Sequence, residues 1–318
     1  MKKQQLIFKD MIDQYLKYRE VSGLKSSTTI SLVQFYRDCS KIFSGSIYLT
    51  QSMVDRWCTK RDMENQRTHS SRIYPVITFL RHAKERNWID LHVPSTPKST
   101  PNTYRPHAFT VEELSNFFKA CDEVAGGPNI QEKFREIQVP VFFRLLYSSG
   151  LRAIEGRLLR LEDVDFHDGI INVRYTKGYN EHRVVLHDTM RELLVRYDNA
   201  ISKMMPDRKI FFPSRDDKCH TALWVSKHFN NLWYKYNEAH CVTYCLRHNY
   251  AIENINSWAN TGYEVHEKLL ALSKSMGHSS LKNTMYYYSL VPKLADIIEN
   301  LSGEFYNHII PNLPDDEK

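Results

Sequence analysis

The sequence predicts a mainly α-helical protein that carries one small antiparallel β-sheet, arranged as two domains. Apolar residues recur at helical spacing along most of the chain. Between residues 164 and 187 the pattern changes to short strands around an Asp168-Gly169 turn. Residues 92–106 hold four prolines and no apolar periodicity, which makes them a stiff, extended linker. A length of 318 residues fits about two domains at roughly 150 residues each. The expected division is 1–91, linker 92–106, and 107–318.

The N-terminal part reads as four helices. Phe8, Met11, Ile12, Tyr15 and Leu16 form the first stripe, ending near Gly23. Ser26 or Ser27 is placed to cap a second helix, with Ile30, Val33, Phe35, Tyr36 and Phe43 inward. Thr50 is placed to cap a third, with Val54, Trp57 and Cys58 inward. A fourth carries Ile73, Tyr74, Ile77, Leu80 and Trp88, and Pro75 is expected near its first turn. Beyond the linker, Thr110-Val-Glu-Glu113 is a capping box leading into Leu114, Phe117 and Phe118. A helix over about 134–148 stops at Gly150, and a short one runs through Glu155 to Leu159. The expected strands are Val164–Phe166, Ile170–Thr176 and His182–His187, the last following a turn at Gly178-Tyr-Asn-Glu181. From residue 188 to about 307 the pattern is helical again, with no internal repeat.

Charge is unevenly distributed. The net charge is +6, but residues 1–106 hold 18 basic against 9 acidic side chains, and the remainder 25 against 28. The first third therefore carries the positive excess, which favours a polyanion such as nucleic acid as partner over a merely solvated basic surface. No apolar run approaches the roughly 18 residues of a membrane span. The N-terminus has no signal-peptide apolar region, and six cysteines in so long a chain fit reduced thiols. The expected compartment is the cytoplasm, in association with the nucleoid.

Several chemistries lack their residues. There is no GxxxxGK[ST] phosphate loop, no GxGxxG and no GxSxG, and no acidic cluster at two-metal spacing. Cys219-His220 and His240-Cys241-x3-Cys245-x2-His248 offer zinc-type ligands, but not as paired CxxC units. Buried thiols and surface imidazoles account for them better, so no metal and no cofactor is expected.

Three segments carry the positive argument. They are Ser149-Gly-Leu-Arg-Ala-Ile-Glu155, Thr243-Tyr-Cys-Leu-Arg-His-Asn-Tyr-Ala251, and Met276-Gly-His-Ser-Ser-Leu-Lys-Asn-Thr-Met-Tyr-Tyr-Tyr288. Together they resemble the tyrosine recombinase (phage integrase) family. Its pattern is an Arg in a GLRxxE box, a Lys on a β-turn, an H-x-x-R box, and a Gly-His pair followed by a Tyr. By that resemblance the catalytic set is Arg152, Lys177, Arg247, His278 and Tyr287, with Glu155 supporting Arg152. Tyr286 is the rival nucleophile. Tyr244 stands where the family usually has His, and its phenol, with an unperturbed pKa of about 10, is a poor proton acceptor. This predicts weakened or reassigned proton handling. Arg157 and Leu161 also depart from the family pattern, as packing detail. His182 and Arg183 are further candidates for phosphate contact, and His248 reads as structural.

The chemistry fits those residue types. Two guanidiniums give bidentate donors to non-bridging phosphate oxygens and stay charged. His278 adds a third donor aimed at developing charge, without a metal. A tyrosyl phosphodiester keeps the bond energy, so rejoining needs no ATP. Lys177 can protonate the leaving 5′ oxygen.

The resemblance implies a helical core-binding domain followed by an α+β tyrosine-recombinase catalytic domain. It implies a 3′-phosphotyrosyl intermediate, and a homotetramer acting on two double-stranded DNA sites through a Holliday junction. Integration, excision or transposition of a mobile element is the expected process. About 105 residues precede the catalytic region, enough for one core-binding domain and no arm-binding domain. Leu294, Ile297, Ile298 and Leu301 stripe a terminal helix that packs in cis or on a neighbouring subunit. Sibling recombinases and accessory DNA-bending proteins stay open as partners. The alternatives are a DNA-binding protein of this fold with weakened catalysis and a type IB-like topoisomerase.

Overall fold

The computed structural model describes residues 6–24, 27–44, 46–96, 106–174, 181–258 and 265–288. The chain divides into two compact units, Met1–Tyr104 and Arg105–Lys318.

The first unit holds α1 (Phe8–Val21), α2 (Ser27–Ile42), α3 (Gln51–Cys58) and α4 (Gln66–Glu85). Its core joins Phe8, Met11, Tyr15, Phe35, Trp57 and Phe79, among others. Two local expectations fail here. Leu32, Phe35 and Cys39 form the inward stripe of α2, whereas Ile30 and Val33 face out. Phe35 sets that phase, its ring lying 5.3 Å from both Phe8 and Trp57. Pro75 lies well inside α4, because the helix starts at Gln66, where the Asn65 side chain accepts from the Thr68 amide at 2.8 Å. A mid-helix proline costs about 3 kcal/mol. Burial of Ile73, Val76, Ile77, Phe79 and Leu80 on the same helix offsets it, at roughly 1.5–3 kcal/mol per side chain.

The second unit opens with α5 (Val111–Asp122), whose Thr110–Glu113 capping box is reciprocal, at 3.1 and 2.8 Å. Helix α6 (Ile130–Ser149) is the central helix, burying Phe134, Val139, Phe142, Phe143, Leu145 and Leu146 against α5, α8 and α10. The short α7 (Ala153–Leu158) leads to a three-stranded antiparallel sheet, β1 (Val164–Asp165), β2 (Ile170–Val173) and β3 (His182–Val185), in that spatial order. Ile171 pairs with Val184 and Val173 with His182. The third strand stops at Val185 because His187 caps the next helix, its Nδ1 accepting from the Thr189 amide at 3.3 Å. Thr176, Lys177, the Gly178 turn and the apolar stripe at 294–301 lie outside the described residues.

Helices α8 (Asp188–Ser202), α9 (Ala222–Tyr236), α10 (Tyr244–Ser257), α11 (Val265–Ser275) and α12 (Lys282–Tyr288) complete the unit. The helical pattern expected from 188 is interrupted at 203–221. There Asp217 takes a φ of +50°, and its carboxylate accepts from the Lys209 and Ile210 amides. Bridges Arg160–Ile210 and Pro213–Cys219 hold the segment as a turn. A separate small core joins α10 to α12 through Ala251, Ile255, Leu269, Leu272, Met276 and Tyr287.

Gly150 ends α6 at φ +65°, and a Cβ there would sit 2.3 Å from Cδ1 of Tyr250. Gly150→Ala should lower stability by at least about 2 kcal/mol, read from the urea midpoint of the full chain, since both the left-handed backbone and the clash oppose it. An unchanged midpoint would show that the turn relaxes freely.

Candidate active site

The site is built where two turns, at Gly150 and at Met276–His278, meet the start of α10. Arg152 is the N-cap of α7, immediately after the Gly150 turn. Its amide donates to Oε2 of Glu155 at 2.8 Å and its Nη1 to Oε1 at 2.5 Å, so one buried carboxylate fixes both backbone and side chain. Its Nη2 donates to the Gly277 carbonyl at 3.3 Å.

Arg247, on the first turn of α10, is 1 % exposed. Its Nη1 donates to the Gly150 carbonyl and its Nη2 to the Met276 carbonyl, each at 2.6 Å. Nη2 also lies 3.0 Å from Nε2 of His278. A guanidinium can only donate, so His278 Nε2 accepts, and Nδ1–H donates to Thr284 Oγ1 at 2.7 Å. Thr284 is fully buried on α12, and its hydroxyl accepts from the tautomer that Arg247 selects. Gly277, at φ +59°, lets the chain turn against His182, whose Nδ1 would be 2.5 Å from an added Cβ.

The electrostatics favour an anion. Two guanidiniums share the Glu155 carboxylate, which lies 3.9 Å from Arg247 Nη1. Burial, then the like charge of Arg152, pushes the Arg247 pKa down. Its Nε is buried with no hydrogen-bond partner among the described residues. Burial, then Arg247, Arg152 and His182, brings His278 down to about 4, so its imidazole is neutral at pH 7. A bound phosphodiester would supply the negative charge that this pocket lacks.

Tyr287 is 3 % exposed on α12. Its ring lies 6.2 Å from that of His278, nearly parallel, and its hydroxyl is 3.1 Å from Nδ1 of His248. Burial, then Tyr244, raises the Tyr287 pKa well above the ordinary phenol value. Tyr244 is half-exposed at the start of α10, its ring set edge-on to His248 at 4.6 Å.

The structure therefore brings together Arg152, Arg247, His278 and Tyr287, with Tyr244 beside them. Lys177 and the side chain of Tyr286 lie outside the described residues. His182 packs beside the cluster, while Arg183 is exposed on the opposite face of β3. Arg157 donates to the His220 carbonyl, away from the cluster. Sequence reasoning took His248 as structural and passed over Thr284. Neither has a local signal: His248 meets Tyr287 through packing of α12 on α10, and Thr284 meets His278 on the turn before its own helix. The zinc-type residues take other roles: His220 stacks on Trp224 at 3.9 Å and bonds Gln138, and a hydrogen bond with Cys245, then burial, raises the Cys241 thiol pKa. Among the described residues no helix is long and apolar enough to cross a membrane.

Comparison with known proteins agrees with this arrangement. Residues 108–293 match the profile described as the phage integrase family. A putative integrase/recombinase, y4rE, of Sinorhizobium fredii is 27% identical over 189 residues, which is 57% of this chain and 59% of that protein, less than two thirds of its length. The tyrosine recombinase XerA of Pyrococcus horikoshii is 24% identical over 312 residues, 93% of this chain and 95% of that one. Among solved structures, the Tn1549 transposon integrase in complex with transposon right-end DNA shares the fold, with a TM-score of 0.62 and 16% identity over 93% of this chain and 100% of that one. The match to the family profile covers more than half of the chain and spans every residue of the cluster, so the chain belongs to the phage integrase family, the tyrosine recombinases, enzymes of site-specific DNA cleavage and rejoining.

Proposed function

We propose that this chain recombines double-stranded DNA at specific sites, with Tyr287 as nucleophile and Arg152, Arg247 and His278 as the phosphate-binding set. The observation that carries this is the meeting of two guanidiniums and an imidazole, from residues 152, 247 and 278, around one under-neutralised pocket beside a buried phenol.

Arg152 and Arg247 hold the non-bridging oxygens of the scissile phosphate and stabilise the charge that builds there in the transition state. With a phosphate present, the Thr284 hydroxyl donates to Nδ1 of His278 and the proton sits on Nε2, which then donates to the same oxygens. The Tyr287 oxygen attacks phosphorus, the P–O5′ bond breaks, and a 3′-phosphotyrosyl ester forms. The free 5′-hydroxyl of a partner strand reverses the step and restores the phosphodiester without ATP. Lys177 is the proposed donor of the proton to the leaving 5′ oxygen. The basic first unit is proposed to grip the DNA backbone, with a homotetramer on two sites exchanging strands through a Holliday junction. Mobile-element integration, excision or transposition is the proposed process. The family match argues against both alternatives, a DNA-binding protein without chemistry and a relaxing topoisomerase.

A duplex nicked near the cleavage point should trap covalent protein–DNA adduct. Tyr287→Phe should remove the adduct while leaving DNA affinity within about twofold; undiminished adduct would move the nucleophile to Tyr286. Because phosphate contacts dominate such binding, affinity should fall about 1000-fold or more between roughly 50 and 200 mM salt. A salt-insensitive affinity, measured by titration of labelled duplex, would contradict a backbone-gripping first unit.

A further inference from the structure

The proposed chemistry needs a group to receive the Tyr287 proton, and the side chain at the position usual for that task is Tyr244. A neutral phenol cannot take a second proton in water near pH 7, so Tyr244 leaves the step without an acceptor. One turn further along α10, His248 has an imidazole nitrogen 3.1 Å from the Tyr287 hydroxyl, within reach of direct proton transfer.

We propose that His248 Nδ1 is the proton acceptor for Tyr287 during strand cleavage, replacing the function that Tyr244 cannot perform. This rests on the proposed role of Tyr287 as nucleophile. The step balances as follows. The Tyr287 O–H bond breaks as the new O–P bond forms, the proton passes to Nδ1, and His248 becomes an imidazolium. The electron pair of the broken P–O5′ bond leaves with the 5′ oxygen, which is protonated separately. On rejoining, His248 returns its proton to the departing Tyr287 oxygen.

Geometry prepares His248 for this. It is buried on α10 with Tyr287 of α12 on its Nδ1 and the edge of Tyr244 against its ring. Among the described residues, the charged or titratable groups that face it are Tyr244 and the Arg247 guanidinium from α10 and Tyr287 from α12. Burial, then Arg247, brings its pKa down to about 4, so in the resting protein it is neutral and has a lone pair to offer. A phosphodiester bound to Arg247 counters the guanidinium charge, and so raises the basicity of His248 when the substrate is in place. Acceptor strength is thereby coupled to DNA binding.

The test uses the full chain and single-turnover adduct formation on the nicked duplex, with uncut-duplex affinity measured alongside. Two variants separate proton transfer from positioning: His248→Asn, which keeps an acceptor near the Nδ1 position but cannot take a proton, and His248→Ala, which keeps neither. Both should bind duplex as the parent does and form adduct at least about 100-fold more slowly. The parent rate should fall as pH is lowered and His248 becomes protonated, and this acid limb should be missing in His248→Asn. His278 remains in that variant, so a surviving limb would belong to His278 and overturn the proposal. A rate for His248→Asn within threefold of the parent would also overturn it, by showing that a hydrogen bond suffices. A duplex whose 5′ leaving oxygen is replaced by sulfur needs no proton donor. The His248→Asn defect should persist there, and its relief would place His248 on the leaving group instead. If the variants fail to bind duplex, the same profile is read in His278→Asn, where a persisting acid limb supports His248 and a lost one overturns the proposal. Adduct mapped in the parent to a residue other than Tyr287 would defeat the nucleophile assignment, and this inference with it.

Discussion

The buried guanidinium of Arg247 is the constraint from which the rest of the site follows. Its two terminal nitrogens satisfy the carbonyls of Gly150 and Met276, which belong to turns 126 residues apart in sequence. A charge this deeply buried is tolerated because those carbonyls, Glu155 and the acceptor nitrogen of His278 surround it. Each bond also locates a functional group. The Gly150 turn places Arg152, and the Met276 turn places His278. Folding of the second unit therefore assembles the cluster of Arg152, Arg247 and His278 in the same event.

The pocket is incomplete in a defined way. Glu155 neutralises one guanidinium, the second remains, and His278 is held neutral by burial and then by the surrounding positive charge. An anion entering there gains more than it would at a surface arginine pair, because little water competes for the donors. The contacts of α10 are divided between its faces: Arg247 points to the turns, while Tyr244 and His248 meet Tyr287. On the proposed mechanism that division accommodates a phenol at position 244, because the neighbouring turn of the same helix carries an imidazole against Tyr287.

What the sequence made legible, and what it did not, follows from where each contact originates. Arg152, Arg247 and His278 were readable because each sits at a short local pattern, a glycine turn or the start of a helix, that survives as a string. The Asp168-Gly169 hairpin and the Thr110 capping box were readable for the same reason. The contacts of His248 and Thr284 were not, because the one partner lies on a different helix 39 residues away and the other on a turn 6 residues away, at angles no local pattern records. The local rule that placed Pro75 in a first turn was overridden by burial along the whole length of α4. The phase of α2 was misjudged because Ile30 and Val33 are as apolar as Leu32, and only contact with Phe8 and Trp57 distinguishes the faces.

The central claim is that the arginine pair acts on the negative charge of a single phosphate. The most direct measurement compares Arg152→Ala with the parent protein on two duplexes, one natural and one with a neutral methylphosphonate at the cleavage position. If Arg152 works by balancing phosphate charge, the variant should be strongly defective on the natural duplex and recover most of the difference on the neutral one. An equal defect on both would contradict the account, since it would mean that the arginine supports the fold or the approach of DNA and not the charge of the reacting phosphate.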